Sequence, residues 1–102
     1  MIAAEDCRTM AEVRAGVDAL DEEIVSLLAV RMRFMDAAAR IKTDRALVRD
    51  EVRKAAVITH VRDAAGREGF PPEVVASLYE ILVEASIAWE LDRFDEKRTG
   101  SV

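Results

Sequence analysis

From Met10 to Lys42 the chain contains no proline, and its apolar residues return every three or four positions, at Val13, Val17, Leu20, Ile24 and Leu27. At about 100° per residue these five fall within about 40° of one direction, as in an amphipathic helix. Thr9-Met10-Ala11-Glu12 supplies the start signal, a Thr oxygen for the N3 amide and a Glu that reaches back. Gly16 is an isolated interruption that costs about 1 kcal/mol at most. The spacing predicts a helix over residues 10–42, about 48 Å long. A compact domain of this chain length is only about 26 Å across. The helix is therefore too long for its own domain to cover.

Two shorter helices complete the pattern. One is expected over residues 50–66, EVRKAAVITHVRDAAG, stopped by Gly66 and Gly69. Pro71 and Pro72 open the other, expected over 71–95, because proline is tolerated in a first turn. Thr43-Asp44-Arg45-Ala46 is the expected break after the long helix, and EKRTGSV at the C-terminus is expected to fray. The reading is a single all-α domain spanning residues 1–102, with three helices and no internal repeat. Two short helices cannot cover the long stripe, so an interleaved second copy of the chain is expected, giving an obligate homodimer.

Charge and cysteine content narrow the function classes. The net charge is −5 with 34% charged residues, which makes a nucleic-acid partner unexpected. Cys7 is the single cysteine, so no internal disulfide can form and a reducing cytoplasm fits. MIAAEDCRTM is acidic and lacks an apolar run, so no signal peptide and no membrane span are expected. His60 reads as a surface or interface residue, and Met32, Phe34 and Met35 as packing. Tyr79 and Trp89 read as core rather than ligand contacts.

The stripe contains two residues of the wrong kind. Arg31 and Lys42 fall in the same sector as the five apolar residues, about 16 Å apart along the axis. Unpaired buried charge is very costly, so an anion must meet them unless they snorkel to water. An internal carboxylate has poor candidates, because Asp21, Glu22, Asp36, Glu73, Glu80 and Glu84 project to other faces. A small anionic ligand held between the two cations is the favoured reading. Arg14 lies about 42 Å from Lys42 on a straight helix, beyond the reach of one small ligand. In an interleaved dimer it could enter the pocket of the other chain instead.

VRAGVDALDEEIVSLLAVRMRFMDAAARIK resembles the first helix of the all-helical chorismate mutase family, chorismate mutase type II. The matching positions are Arg14, Val17-Asp18, Leu20-Asp21, Ile24, Leu27-Leu28, Arg31 and Lys42. Val48-Arg49-Asp50 with Arg53 resembles the family's start of helix two, and VEASIAWE resembles the segment carrying a Ser and, four residues later, a Gln. Glu5-Asp6-Cys7 before that first helix is also similar to the isochorismate-pyruvate lyase branch of the family.

The resemblance implies an intertwined dimer of three-helix chains that rearranges dianionic chorismate to prephenate in aromatic amino-acid biosynthesis. Such pericyclic chemistry needs no metal or organic cofactor. It needs a folded conformer and donors where negative charge grows on the breaking ether oxygen. By carry-over, Arg14 of the partner and Arg31 bind carboxylates, and Lys42 bonds a carboxylate and the ether oxygen. Arg53 and Asp50 approach the ring side, and Ser86 is a minor contact. Lys54 stands where the family's ring-hydroxyl partner is usually Glu, and it is read as either substrate-facing or solvated. Glu90 stands where bacterial enzymes carry Gln. To donate to the ether oxygen Glu90 must hold a proton, which favours activity at acidic pH; the other reading is an ion pair with an arginine such as Arg53. Two alternative functions stand beside the mutase: isochorismate-pyruvate lyase activity, giving salicylate and pyruvate, and a non-catalytic helical dimer that binds an aromatic acid.

Overall fold

The computed structural model describes residues 2–99. Three helices dominate it: α1 (Met10–Ile41), α2 (Glu51–Glu68) and α3 (Pro72–Thr99). Short 3-10 turns at Ala4–Asp6 and Arg45–Leu47 precede α1 and α2. The described residues contain no strand, so the fold is all-α. The chain divides into two compact units, one through Arg33 and one from Phe34 onward, and α1 contributes to both.

In the first unit the capping residues act at the start of α1. Glu12 N–H donates to Thr9 Oγ1 at 3.2 Å, and the Thr9 hydroxyl donates to Glu12 Oε1 at 3.1 Å. The Glu12 carboxylate also accepts from the Arg8 amide at 3.3 Å, one residue earlier than the standard box. Beyond this turn the stripe is bare: Val17 is 50% exposed, Ile24 52% and Leu27 69%. Every residue from 21 to 30 is exposed.

The second unit pairs α2 with α3. Ala39, Ala65 and Ala76 are buried small residues, and Val48, Val83 and Phe94 complete the apolar core among the described residues. Asp50 caps α2 by accepting the Arg53 amide at 2.9 Å, which explains where this helix begins. The helix runs through Gly66, expected as a stop, because one interior glycine costs only about 1 kcal/mol. Gly69 is the actual terminator: its φ of 71° is left-handed, and Phe70 N–H closes on the Ala65 carbonyl at 2.8 Å.

α3 extends to Thr99, four residues past the expected end at Asp95. Its last turns hold themselves through an Arg93–Glu96 ion pair at 2.6 Å and Arg98 stacked 3.8 Å over Phe94. Of the tail expected to fray, residues 96–99 are helical and residues 100–102 lie outside the described residues. Phe34, read as packing, is 66% exposed, while Met32 and Met35 are half-buried. Among the described residues, the face that Phe34 occupies carries no cover. Among the described residues no helix is long and apolar enough to cross a membrane.

Candidate active site

The candidate site residues fall into three groups. Arg14 and Arg31 lie on α1 in the first unit. Arg14 is exposed and has no hydrogen bond or ion pair among the described residues, and Arg31 is half-buried. Asp50 and Arg53 form the N-cap and first turn of α2, and Arg53 projects an exposed side chain. Ser86 and Glu90 sit one turn apart on α3, with exposures of 3% and 4%. They are the two most buried polar side chains described.

Lys42, the first residue after α1, reaches Glu90: Nζ donates to Oε2 at 2.7 Å. Its side chain is 28% exposed against 5% for Glu90, so one end of the pair opens to water. The internal carboxylate, the less favoured partner of Lys42 in the sequence, is therefore present as Glu90, and Glu90 pairs with Lys42 and not with Arg53. Glu90 comes from a helix 48 residues away in sequence, so no count along α1 could find it. An ammonium has three donors, and Glu90 takes one. Two remain for an incoming oxygen. The Ser86 hydroxyl donates to the Leu82 carbonyl at 2.7 Å, which uses its one donor within its own helix.

Lys54 is resolved by its partners. It bonds Glu80 at 2.9 Å and Glu84 at 3.0 Å, and these two carboxylates, Glu80 first, raise its pKa. Glu84 also receives Arg49 in a two-pronged contact at 2.6 and 3.2 Å. Arg49 first and Lys54 second hold the Glu84 carboxyl down to about 2. Lys54 is thus neither a lone solvated cation nor a free one; it belongs to a network that ties the start of α2 to α3.

Two features escaped the sequence. Trp89 Nε1 donates to Asp36 at 2.7 Å, and Arg93 lies 4.4 Å over the Trp89 ring and 3.5 Å from the same Asp36 carboxylate. Trp89 is therefore a half-open polar clamp rather than core, at 36% exposure. Arg98 donates to backbone carbonyls at the end of α1. An expected helix end at Asp95 had placed Arg98 in the tail; the i, i+4 spacing from Phe94 was the available signal. Among the described residues no group of His, Cys, Asp and Glu could hold a metal ion.

The described residues thus form a three-helix all-α fold with Glu90 buried beside Lys42. The chain belongs to the chorismate mutase type II family, whose model matches residues 13–91. It is similar to the isochorismate pyruvate lyase of Pseudomonas aeruginosa, with 29% identity over 94 residues, covering 92% of this chain and 93% of that protein. The family is one of enzymes for chorismate-like small molecules, and the relative shows that its members divide between activities.

Proposed function

We propose that this chain is a chorismate mutase that converts chorismate to prephenate by intramolecular rearrangement. The carrying observation is the Lys42–Glu90 pair, an ammonium and a carboxyl at 2.7 Å with the acid buried. Lys42 offers its two spare donors to a substrate carboxylate and to the ether oxygen that gains charge as the bond breaks. Glu90, when protonated in the substrate complex, is a second donor to that oxygen. Arg31 and Arg53 bind carboxylates, with planar forks suited to the task, while Asp50 and Ser86 border the ring. The work of the site is to hold one folded conformer of a dianion, and it needs no cofactor for that.

In this reading the working unit is a homodimer, and Arg14 of each chain serves the partner's site. Supporting it, the stripe of α1 from Val13 to Leu27 is 38% to 69% exposed, far more apolar surface than a stable monomer leaves bare along one helix.

A second reading, isochorismate-pyruvate lyase, has its own support. The relative with that name matches over 92% of this chain and 93% of its own length, and Glu5-Asp6-Cys7 resembles the same branch. Lys54, paired with Glu80 and Glu84, also offers no acceptor for a ring hydroxyl. Incubating the purified protein with chorismate and with isochorismate in separate reactions, and following prephenate and salicylate, decides between them. Prephenate as the main product supports the mutase, and salicylate the lyase. Turnover of neither overturns both and leaves a binding protein.

A further inference from the structure

Lys42 sits at a place where backbone is hard to fix. α1 ends at Ile41, and the Lys42 amide makes the last helical bond, to the Ala38 carbonyl at 2.9 Å. The carbonyls that follow in the last turn have no amide four residues on to receive. Without a partner such an end frays, and an ammonium on four methylenes frays with it.

Arg98 supplies the partner from α3. Its Nη2 donates to the Lys42 carbonyl at 2.7 Å, and Nη1 makes a longer contact of 3.5 Å with the Ala39 carbonyl. The guanidinium lies 3.8 Å over the Phe94 ring, and Phe94 is itself buried, so the fork has a fixed floor. A cation at this end also complements the negative pole of α1. Four residues before Phe94 stands Glu90, which holds Lys42 Nζ. The ridge Glu90, Phe94, Arg98 of α3 therefore grips one lysine at both ends, side chain and backbone. A second tie, Arg45 to Asp95 at 2.9 Å, steadies the connection just after Lys42.

We infer that Arg98 is a positioning residue for Lys42, fixing the lysine backbone so that its ammonium stays at the reacting bond; this rests on Lys42 belonging to the substrate site proposed above. Arg98 touches no substrate in this role. It acts through the carbonyl it holds, and small displacements of a positioned group cost catalysis steeply.

The test compares the full-length wild type with Arg98→Ala and Arg98→Lys, assayed below the melting temperature of all three. Amide exchange is read at Lys42, Leu47 and Val48, whose N–H groups close the end of α1 and the turn after it. Arg98→Ala is expected to speed exchange at these three amides about tenfold while amides within α2 keep their rates. It is expected to lower kcat about tenfold or more with KM changed less than about threefold. Arg98→Lys, which keeps a donor and the charge, recovers part of both. Wild-type rates and exchange in Arg98→Ala overturn the role of Arg98. So does a rise in exchange spread evenly over all helices with no rescue by lysine, which marks a general loss of stability. A wild type inert toward both substrates overturns the functional reading itself, an outcome seen before any variant is made.

Discussion

The two units of this chain use helix in opposite ways. In the second, α2 and α3 bury each other: Val83, Ser86, Glu90 and Phe94 succeed one another on α3 at exposures of 7% or less. In the first, ten consecutive residues of α1, from 21 to 30, are all exposed, although Ile24, Val25, Leu27, Leu28 and Val30 are among them. The bare stripe of α1 is the more apolar of the two, since the buried row of α3 includes Ser86 and Glu90. What differs is the presence of a covering element within the unit. Amphipathic pattern therefore says which face of a helix will be buried, and says nothing about which chain will bury it.

The largest effect is expected where that cover is missing. Ile24→Asp places a charge on the stripe, whereas Ser26→Asp places one on the opposite side of the same helix, about 200° around. If a second copy covers the stripe, burying an unpaired carboxylate weakens association by about 100-fold or more. Light scattering across a dilution series reads the difference. Ile24→Asp is expected to be monomeric where the wild type and Ser26→Asp are dimers, and its activity is expected to fall with the dimer. Equal association in all three proteins would remove the second copy as the cover for α1.

The contrast also explains what was readable beforehand. Three helices, the Thr9–Glu12 start signal and the break at Thr43-Asp44-Arg45-Ala46 follow from local chemistry, and local chemistry is present in the sequence. Helix ends were misjudged where a glycine or a charged run was taken as a stop. Gly66 is tolerated because Gly69 is the residue that adopts the left-handed turn, and the run after Asp95 is held by the Arg93–Glu96 ion pair and by Arg98 stacked over Phe94. Arg31 and Lys42 were legible as cations on an apolar face, and Glu90 was legible through the family resemblance. The partner of Lys42 was not, because the Lys42–Glu90 contact joins helices that no periodicity relates. Arg98 was hidden for a related reason: its bonds go to carbonyls, which every residue carries and no sequence marks.

A smaller, more local effect is expected inside the second unit, at the pair itself. Glu90→Gln keeps the shape and an oxygen for the Lys42 ammonium, so the melting temperature is expected to change little. The amide is a donor at every pH, whereas the carboxyl donates only when it holds a proton. Glu90→Gln is therefore expected to keep kcat/KM at or above the wild-type value at neutral pH. A fall as large as that of Glu90→Leu would show that Glu90 does not donate, and would leave it as a carboxylate partner for Lys42 alone. Glu90→Leu, by contrast, strips Lys42 of its carboxylate and is expected to reduce kcat/KM about 10-fold or more at all pH values.

The smallest expected effect belongs to the exposed network around Glu84, which contrasts with Glu90 six residues further along the same helix. Glu84 holds both Arg49 and Lys54, yet its side chain is 45% open to water, so screening limits what each pair contributes. Its folded pKa, about 2, lies below the ordinary 4.5, with the Arg49 hydrogen bond as the leading cause. A carboxyl with a depressed folded value stabilises the fold above the ordinary value and loses that contribution as pH falls through the folded one. The stability gap between the wild type and Glu84→Gln is therefore expected to be full at neutral pH. It should narrow below about 4.5 and close near 2. Raising the ionic strength should narrow it as well, because the Debye length contracts to about 3 Å at 1 M salt. Urea melts of the two proteins across that pH range measure the gap directly, and a gap that ignores both pH and salt would mean Glu84 acts through packing rather than through charge.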